Sequence, residues 1–282
     1  MEHVSRRHAA FLRFFLLVGT LGLSWPLEAQ ESDVNKVARE LSNPVGSLAS
    51  LNFQGNYQRL DGSAPGVSDH SSTSLVFLPT IPFKVASGNL IVRPAFPFIG
   101  TPVPDGSGEW TKERGFGDMQ LVVNWGRVEK SGLLWSLGGT FVFPTGSNEF
   151  VTQDQWQAGP AAILGLIKEW GVLGGFWQHW YGLNSPEGRA KADLGSLQVF
   201  YWFGLGNGWQ VGGSPVLSQN YVARETNQFT FPLNLGVAKT FVLGKMPFKA
   251  TVQAQYFLTR PDVTGPSWGI FFQFSPVVRV PW

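Results

Sequence analysis

Twelve stretches of this chain alternate residue by residue between an apolar and a polar side, and the gaps between them alternate in length. The stretches lie near 49–60, 73–86, 89–100, 117–127, 132–144, 156–168, 171–182, 194–205, 208–219, 228–242, 246–259 and 267–281. "LNFQGNYQ", residues 51–58, shows the pattern. Leu51, Phe53, Gly55 and Tyr57 fall on one side of an extended chain, and Asn52, Gln54, Asn56 and Gln58 on the other. Side chains of a strand point alternately to opposite faces, so each stretch reads as a strand with one greasy and one polar side. The gaps run long at 61–72, short at 87–88, long at 101–116, short at 128–131, and so on to a long one at 260–266.

A β-sandwich gives no reason for that alternation. An outer-membrane barrel does, because its strand number is even, its turns on one side are short and its loops on the other are long. The fold class expected is therefore all-β: a transmembrane antiparallel β-barrel of about 12 strands. A segment divided differently would give ten or fourteen. In lipid the greasy side faces outward and the polar side faces a watery lumen. The bilayer core offers the backbone no hydrogen bonds, so the sheet must close on itself. Strand parity then turns Asn52, Gln54, Asn56, Asn124, Gln253 and Gln255 inward, with Phe200, Trp202 and Phe257 among them. Amides there bond water, solute or each other without the desolvation cost of a charge. Twelve strands about 4.8 Å apart and tilted by about 40° give a backbone diameter of roughly 24 Å, leaving about 10 Å of lumen after side chains.

The composition agrees. Only 14% of the 282 residues are charged, and the chain carries 34 glycines, 12 tryptophans and 23 phenylalanines. The net charge of +2 and the lack of a basic run past the N-terminus give no reason to expect nucleic acid. Arg6, Arg7 and Arg13 lead into the apolar run "FLRFFLLVGTLGLSWPL", followed by small and polar residues, which is the pattern of a secretory signal peptide over 1–29 cut near Ala29. There is no cysteine, hence no disulfide and no lipid-modified cysteine at the cut. Residues 30–48, "QESDVNKVARELSNPVGSL", place Val34, Val37, Ala38 and Leu41 at helical spacing before Asn43 and Pro44 stop the helix. This short segment is expected to rest at the barrel mouth as a plug or to hang in the periplasm, with the barrel spanning 49–282.

Aromatic residues collect toward segment ends, among them Tyr57, Trp125, Trp135, Trp156, Trp180, Trp209, Phe229, Tyr256 and Trp268, as interfacial girdles do. In the last segment Trp268, Ile270, Phe272, Phe274, Val278, Val280 and Trp282 share one parity. A C-terminal strand of this kind looks like the signal read by the barrel assembly machinery, an expected partner beside outer-membrane lipid and lipopolysaccharide. Pro79, Pro82, Pro94 and Pro97 fit a ladder poorly and imply bulges or a shorter strand.

Several stretches resemble one bacterial family of outer-membrane barrels, named for the MetA pathway of phenol degradation and described as transporters. They are "LSNPVGSLASLNFQGNY" at 41–57, "FVFPTGS" at 141–147, "WQAGPAAILGLIKEWGVLGGFWQHWYG" at 156–182, "FTFPLNLGVAKTFVLGKMPFKATVQAQYF" at 229–257 and "GPSWGIFFQF" at 265–274. The resemblance implies passage of small, aromatic or hydrophobic solutes across the outer membrane of a Gram-negative cell. The chain departs from common barrel endings by closing on Pro-Trp.

Enzyme chemistry finds little support. His70 and His179 are the only histidines past the leader, and neither has a serine or acid at a recognisable catalytic spacing. No thiol, histidine pair or carboxylate cluster suggests a metal, and no cofactor is expected. Lys84, Arg93, Lys249 and Arg279 all turn inward by parity, near the short-turn end. Either they form a basic collar that favours anions in a pore, or they pair with lumen carboxylates or with the N-terminal helix. The expectation is a passive channel for small molecules. The alternative is a structural or adhesive barrel with a closed lumen.

Overall fold

The structure is a computed structural model, and it describes residues 33–105, 109–184 and 186–278. The expected leader and Arg279 lie outside the described residues. One helix, α1 (Asp33–Glu40), precedes fourteen strand segments. These are β1 (Ala49–Asp61), β2 (Ser71–Val85), β3 (Gly88–Pro104), β4 (Trp110–Phe116), β5 (Met119–Val128), β6 (Leu133–Phe143) and β7 (Gln157–Lys168). There follow β8 (Gly171–Gly182), β9 (Asp193–Gly206), β10 (Trp209–Gly213), β11 (Val216–Asn220), β12 (Phe229–Leu243), β13 (Met246–Thr259) and β14 (Gly265–Val278).

The segments form a closed barrel of twelve antiparallel strands. Closure is made by β1, which pairs with β2 on one side and with β14 on the other, from Ala49↔Val278 to Asp61↔Gly265. Two barrel strands are broken. β5 and β4 lie end to end along β3, opposite Asn89–Ala95 and Phe98–Pro104 respectively. β10 and β11 lie end to end between β9 and β12. The second break falls at Ser214 and Pro215, where proline has no N–H to give the ladder. The carbonyl of Pro215 still accepts from Val199 N at 2.9 Å.

β4 stands where the sequence suggests only a long loop. Its "WTKERGF" carries Lys112, Glu113 and Arg114 in succession, so it shows no apolar stripe. It pairs with the end of β3 that leads into the long loop. The prolines of β2 and β3 shorten neither strand. Pairing between them lapses between Phe77↔Phe96 and Ile81↔Val92, around Pro79 and Pro94, and resumes in the same register. β2 keeps its other partner through the gap, with Pro79 opposite Leu51. Among the short turns, Asn207 and Gly208 both have positive φ, 48° and 76°, the conformation a two-residue hairpin requires.

Orientation follows the inside-out expectation. On β13 Lys249, Thr251, Gln253 and Phe257 are buried, while Val252 and Leu258 are exposed. The outward face is apolar around the wall, with Leu75 57% exposed, Leu137 64%, Leu164 63% and Phe272 48%. Phe272 lies across Gly55, where an added Cβ would come within 2.0 Å of its ring. Aromatic pairs mark both rims: Trp125 with Trp135 at the short-turn end, 5.5 Å between centroids, and Tyr57 with Trp268 at the long-loop end, 5.8 Å. Trp180 departs from the girdle expectation. It has the inward parity of β8, and its Nε1 donates to Thr140 Oγ1 at 2.8 Å.

Leu164, 63% exposed and about halfway along β7, belongs to the continuous apolar outer face that lipid covers on this orientation. Leu164→Arg should therefore cost about 2–4 kcal/mol in phospholipid vesicles, as a cation on the lipid face of a barrel does near the midplane. Equilibrium denaturant unfolding in vesicles checks this. A cost near zero contradicts the orientation.

Candidate functional site: the lumen cavity

The interior has two unlike sides. On one, β6 to β9 contribute Leu134, Ala161, Ile163, Val172, Phe176, Phe200 and Trp202, which cluster with Ala238 of β12. On the other, β1, β13 and β14 present amides. The N-terminal segment settles on the first side. Val45, 1% exposed, completes that apolar cluster from inside the lumen.

Local chemistry shapes the segment. Asn35 Oδ1 accepts from Gly208 N at 2.7 Å, tying α1 to the β9–β10 turn. After the helix the chain folds on itself around Pro44: Asn43 Oδ1 accepts from Val45 N at 3.1 Å, and Glu40 Oε1 from Ser47 N at 2.9 Å. The wall holds it at further points. Asn89 Nδ2 of β3 donates to the Val45 carbonyl at 3.0 Å. Lys249 Nζ of β13 donates to Ser42 Oγ at 2.6 Å, and Ser42 Oγ lies 3.1 Å from Gln210 Oε1 of β10. Ser42 and Val45 thus contact the inner wall of the barrel, and we call the segment the plug.

The plug divides the lumen. Beyond it, toward the long loops, lies a cavity of about 350 Å³. On the short-turn side lies an open vestibule bordered by Arg39, Lys84, Arg127, Lys130 and Lys168 together with Glu129 and Glu169. Glu40 and Asn43 border both. In the vestibule rim, a hydrogen bond from the Trp135 indole and a second from Arg127 hold the Glu129 carboxyl below its usual range.

Most residues expected to face the lumen meet in the cavity. Asn52, Gln54, Asn56, Arg93, Trp202, Lys249, Gln253 and Gln255 all line it. Their mutual bonds were not legible from parity. Gln54 Nε2 donates to Gln273 Oε1 at 2.9 Å, and Gln273 Nε2 lies 3.3 Å from Asn52 Oδ1 and 2.8 Å from Ser275 Oγ. Asn52 Nδ2 donates to the Leu78 carbonyl at 2.8 Å. Gln253 Oε1 accepts from Ser214 N at 2.8 Å. Lys84 is separate, at the vestibule. Asn124, 1% exposed, is bonded to Ser136 Oγ at 3.2 Å and does not line the cavity. The plug residues Ser42 and Pro44 and the aromatic Phe176 also line it, and no sequence signal short of the strand register places them there.

The long-loop end is also ordered. Asp118, 8% exposed at the β4–β5 break, accepts from Gly146 N at 3.0 Å, Thr152 Oγ1 at 2.6 Å and Gln153 N at 2.8 Å. It anchors the β6–β7 loop. His179 does have an acidic partner, across the β8–β9 pairing: its Nε2 is 2.7 Å from Asp193 Oδ1. The sequence separation of 14 hides this contact, which only the register makes. Both side chains have the outward parity, with Tyr221 stacked on the imidazole at 5.5 Å and Tyr181 tilted against it at 4.3 Å.

Val45 burial is worth about 1.5–3 kcal/mol, a neutral plug hydrogen bond about 0.5–1.5 kcal/mol net, and the charge-assisted bond from Lys249 to Ser42 about 1.5–3 kcal/mol. Asn89→Ala should raise amide exchange across residues 33–48 by roughly 2- to 10-fold and Ser42→Ala by roughly 10- to 100-fold, the ranges those energies imply, with the strands unchanged. Hydrogen-exchange mass spectrometry in micelles reads both. Equal loosening of plug and strands contradicts local docking.

No family model matches the chain, and no curated protein matches it in sequence. Solved structures do share its fold. The COG4313 outer membrane channel from Pseudomonas putida F1 is 14% identical, with a TM-score of 0.58 over 89% of this chain and all of that one. The NanC porin is 10% identical, with a TM-score of 0.50 over 82% of this chain and all of that one. The chain thus has the fold of these outer-membrane barrels, closed from β1 to β14 around an internal plug.

Proposed function

We propose that this protein is an outer-membrane channel that passes small molecules down their own gradient, without cofactor or energy input, and that it is exported there by its N-terminal leader. The carrying observation is a polar and aromatic cavity of about 350 Å³ inside a barrel whose outer face is apolar. That volume is within the range of ordinary small-molecule sites, about 300–1,000 Å³. The fold shared with a protein described as a channel and another described as a porin supports the reading. Phe176, Phe200, Trp202 and Phe257 on the cavity wall support a preference for solutes with a flat apolar face. The amides at Asn52, Gln54, Asn56, Gln253 and Gln255 would bond the polar groups of such a solute.

The plug favours a second reading, a barrel with a closed lumen that serves structure or adhesion. Liposome swelling with a panel of small solutes separates the two. The channel reading expects swelling by the intact protein, several-fold faster when residues 33–46 are deleted. Equal rates for both forms would remove the plug as the constriction. Silence from both forms, with the barrel correctly folded, would leave the closed barrel.

A further inference from the structure

Two cations share the cavity without an acidic partner. Lys249, 5% exposed, donates to Ser42 Oγ, and its Nζ stands 5.2 Å from the centre of the Trp202 ring. The Arg93 guanidinium stands 5.8 Å from the centre of the Phe176 ring, and its buried Nε has no protein acceptor. Neither makes an ion pair among the described residues. The one carboxylate on the cavity lining, Glu40, is turned to the plug, where Ser47 N and Asn43 Nδ2 bond its two oxygens.

The rings beneath these cations are neighbours. Phe176 lies on β8, and Phe200 and Trp202 on β9; Gly174 pairs with Phe200 and Val172 with Trp202. An added Cβ at Gly174 would come within 2.6 Å of Phe200, so the ring lies against a glycine-thinned stretch of β8. The result is an aromatic strip with Arg93 over its Phe176 end and Lys249 over its Trp202 end. Opposite it, Gln255 Oε1 and Asn56 Oδ1 are buried without a protein partner.

We infer that the lumen cavity is a binding site for small organic anions with a flat apolar face, aromatic carboxylates being the class that fits. The carboxylate takes the N–H groups of Arg93 or Lys249, and the ring lies along Phe176, Phe200 and Trp202. A buried ammonium and a partly buried guanidinium that face amides and aromatic rings gain from an anion a charge-assisted bond that no carboxylate of the wall supplies. A face of π-systems rewards a second flat ring.

This inference rests on the channel reading for its biological sense, but its test does not. Binding is measured by calorimetry on the purified full chain in zwitterionic micelles, with 2-naphthoate, its uncharged isostere 2-naphthamide, and glucuronate as an anion without an aromatic face. Naphthoate should bind at least ten-fold more tightly than either of the others. The double variant Arg93→Gln/Lys249→Gln should bring naphthoate to within about three-fold of naphthamide. The single variant that removes the cation holding the carboxylate should do the same, and Lys249→Arg on the double-variant background shows whether that cation is Lys249. Heat-modifiable migration on gels identifies variants that fold, and the two single variants replace the double one if it does not. Equal affinities of the intact protein for naphthoate and naphthamide, or a preference kept when both cations are removed singly and together, overturns the anion site. Glucuronate binding as tightly as naphthoate overturns the aromatic part. Loss of liposome swelling with this binding intact would instead overturn the channel.

Discussion

Every peptide group of a chain in hydrocarbon must find its partner within the protein. The pairing of β1 with β14 answers that demand, because it leaves the sheet no edge. The rest of the architecture depends on it. Once the sheet is closed, each strand has an inside and an outside, and the twofold alternation decides which side chains meet lipid. The places where the ladder weakens keep the same logic. Pro79 and Pro94 open the β2–β3 pairing, and pairing with β1 and β5 on either side carries both strands past the gap. The Ser214–Pro215 break frees a backbone N–H, and Gln253 turns its amide oxygen to meet it.

A barrel of this girth has more interior than its own side chains fill. The apolar strip of β6 to β9 would face water if left bare, and Val45 covers part of it from the N-terminal segment. The plug thus docks for the same reason that any hydrophobic core forms. It does so on one side, and the amide side remains as the cavity. Uncharged amides suit that side because they satisfy one another, as Gln54, Gln273 and Asn52 do, while still offering donors and acceptors to a solute.

Much of this was readable in the residues, because period two and turn length are local signals. The limits of β8 and β13 coincide with the alternating stretches at 171–182 and 246–259. β4 escaped because beyond the apolar belt a strand has no need of a greasy face, and "TKER" reads as loop. Parity sufficed to turn Gln253 or Lys249 inward. It could not give depth, so it grouped Lys84 of the vestibule with Arg93 of the cavity. Nor could it show the bond of His179 to Asp193, or of Asn89 to Val45, since such pairs exist only once register brings distant segments side by side.

Lys249 joins the two halves of this design. Its ammonium holds Ser42 of the plug and also borders the cavity over Trp202. A ligand that draws the ammonium toward itself weakens a plug contact, and by thermodynamic reciprocity an undocked plug leaves that ammonium free for the ligand. The apolar seat of Val45 and the Asn89 bond do not depend on the cation, so the plug keeps most of its hold when that one contact is lost. On the anion-site reading, the contents of the lumen and the position of its stopper would be coupled through Lys249, and the coupling would be limited to what one charge-assisted hydrogen bond is worth, about 1.5–3 kcal/mol.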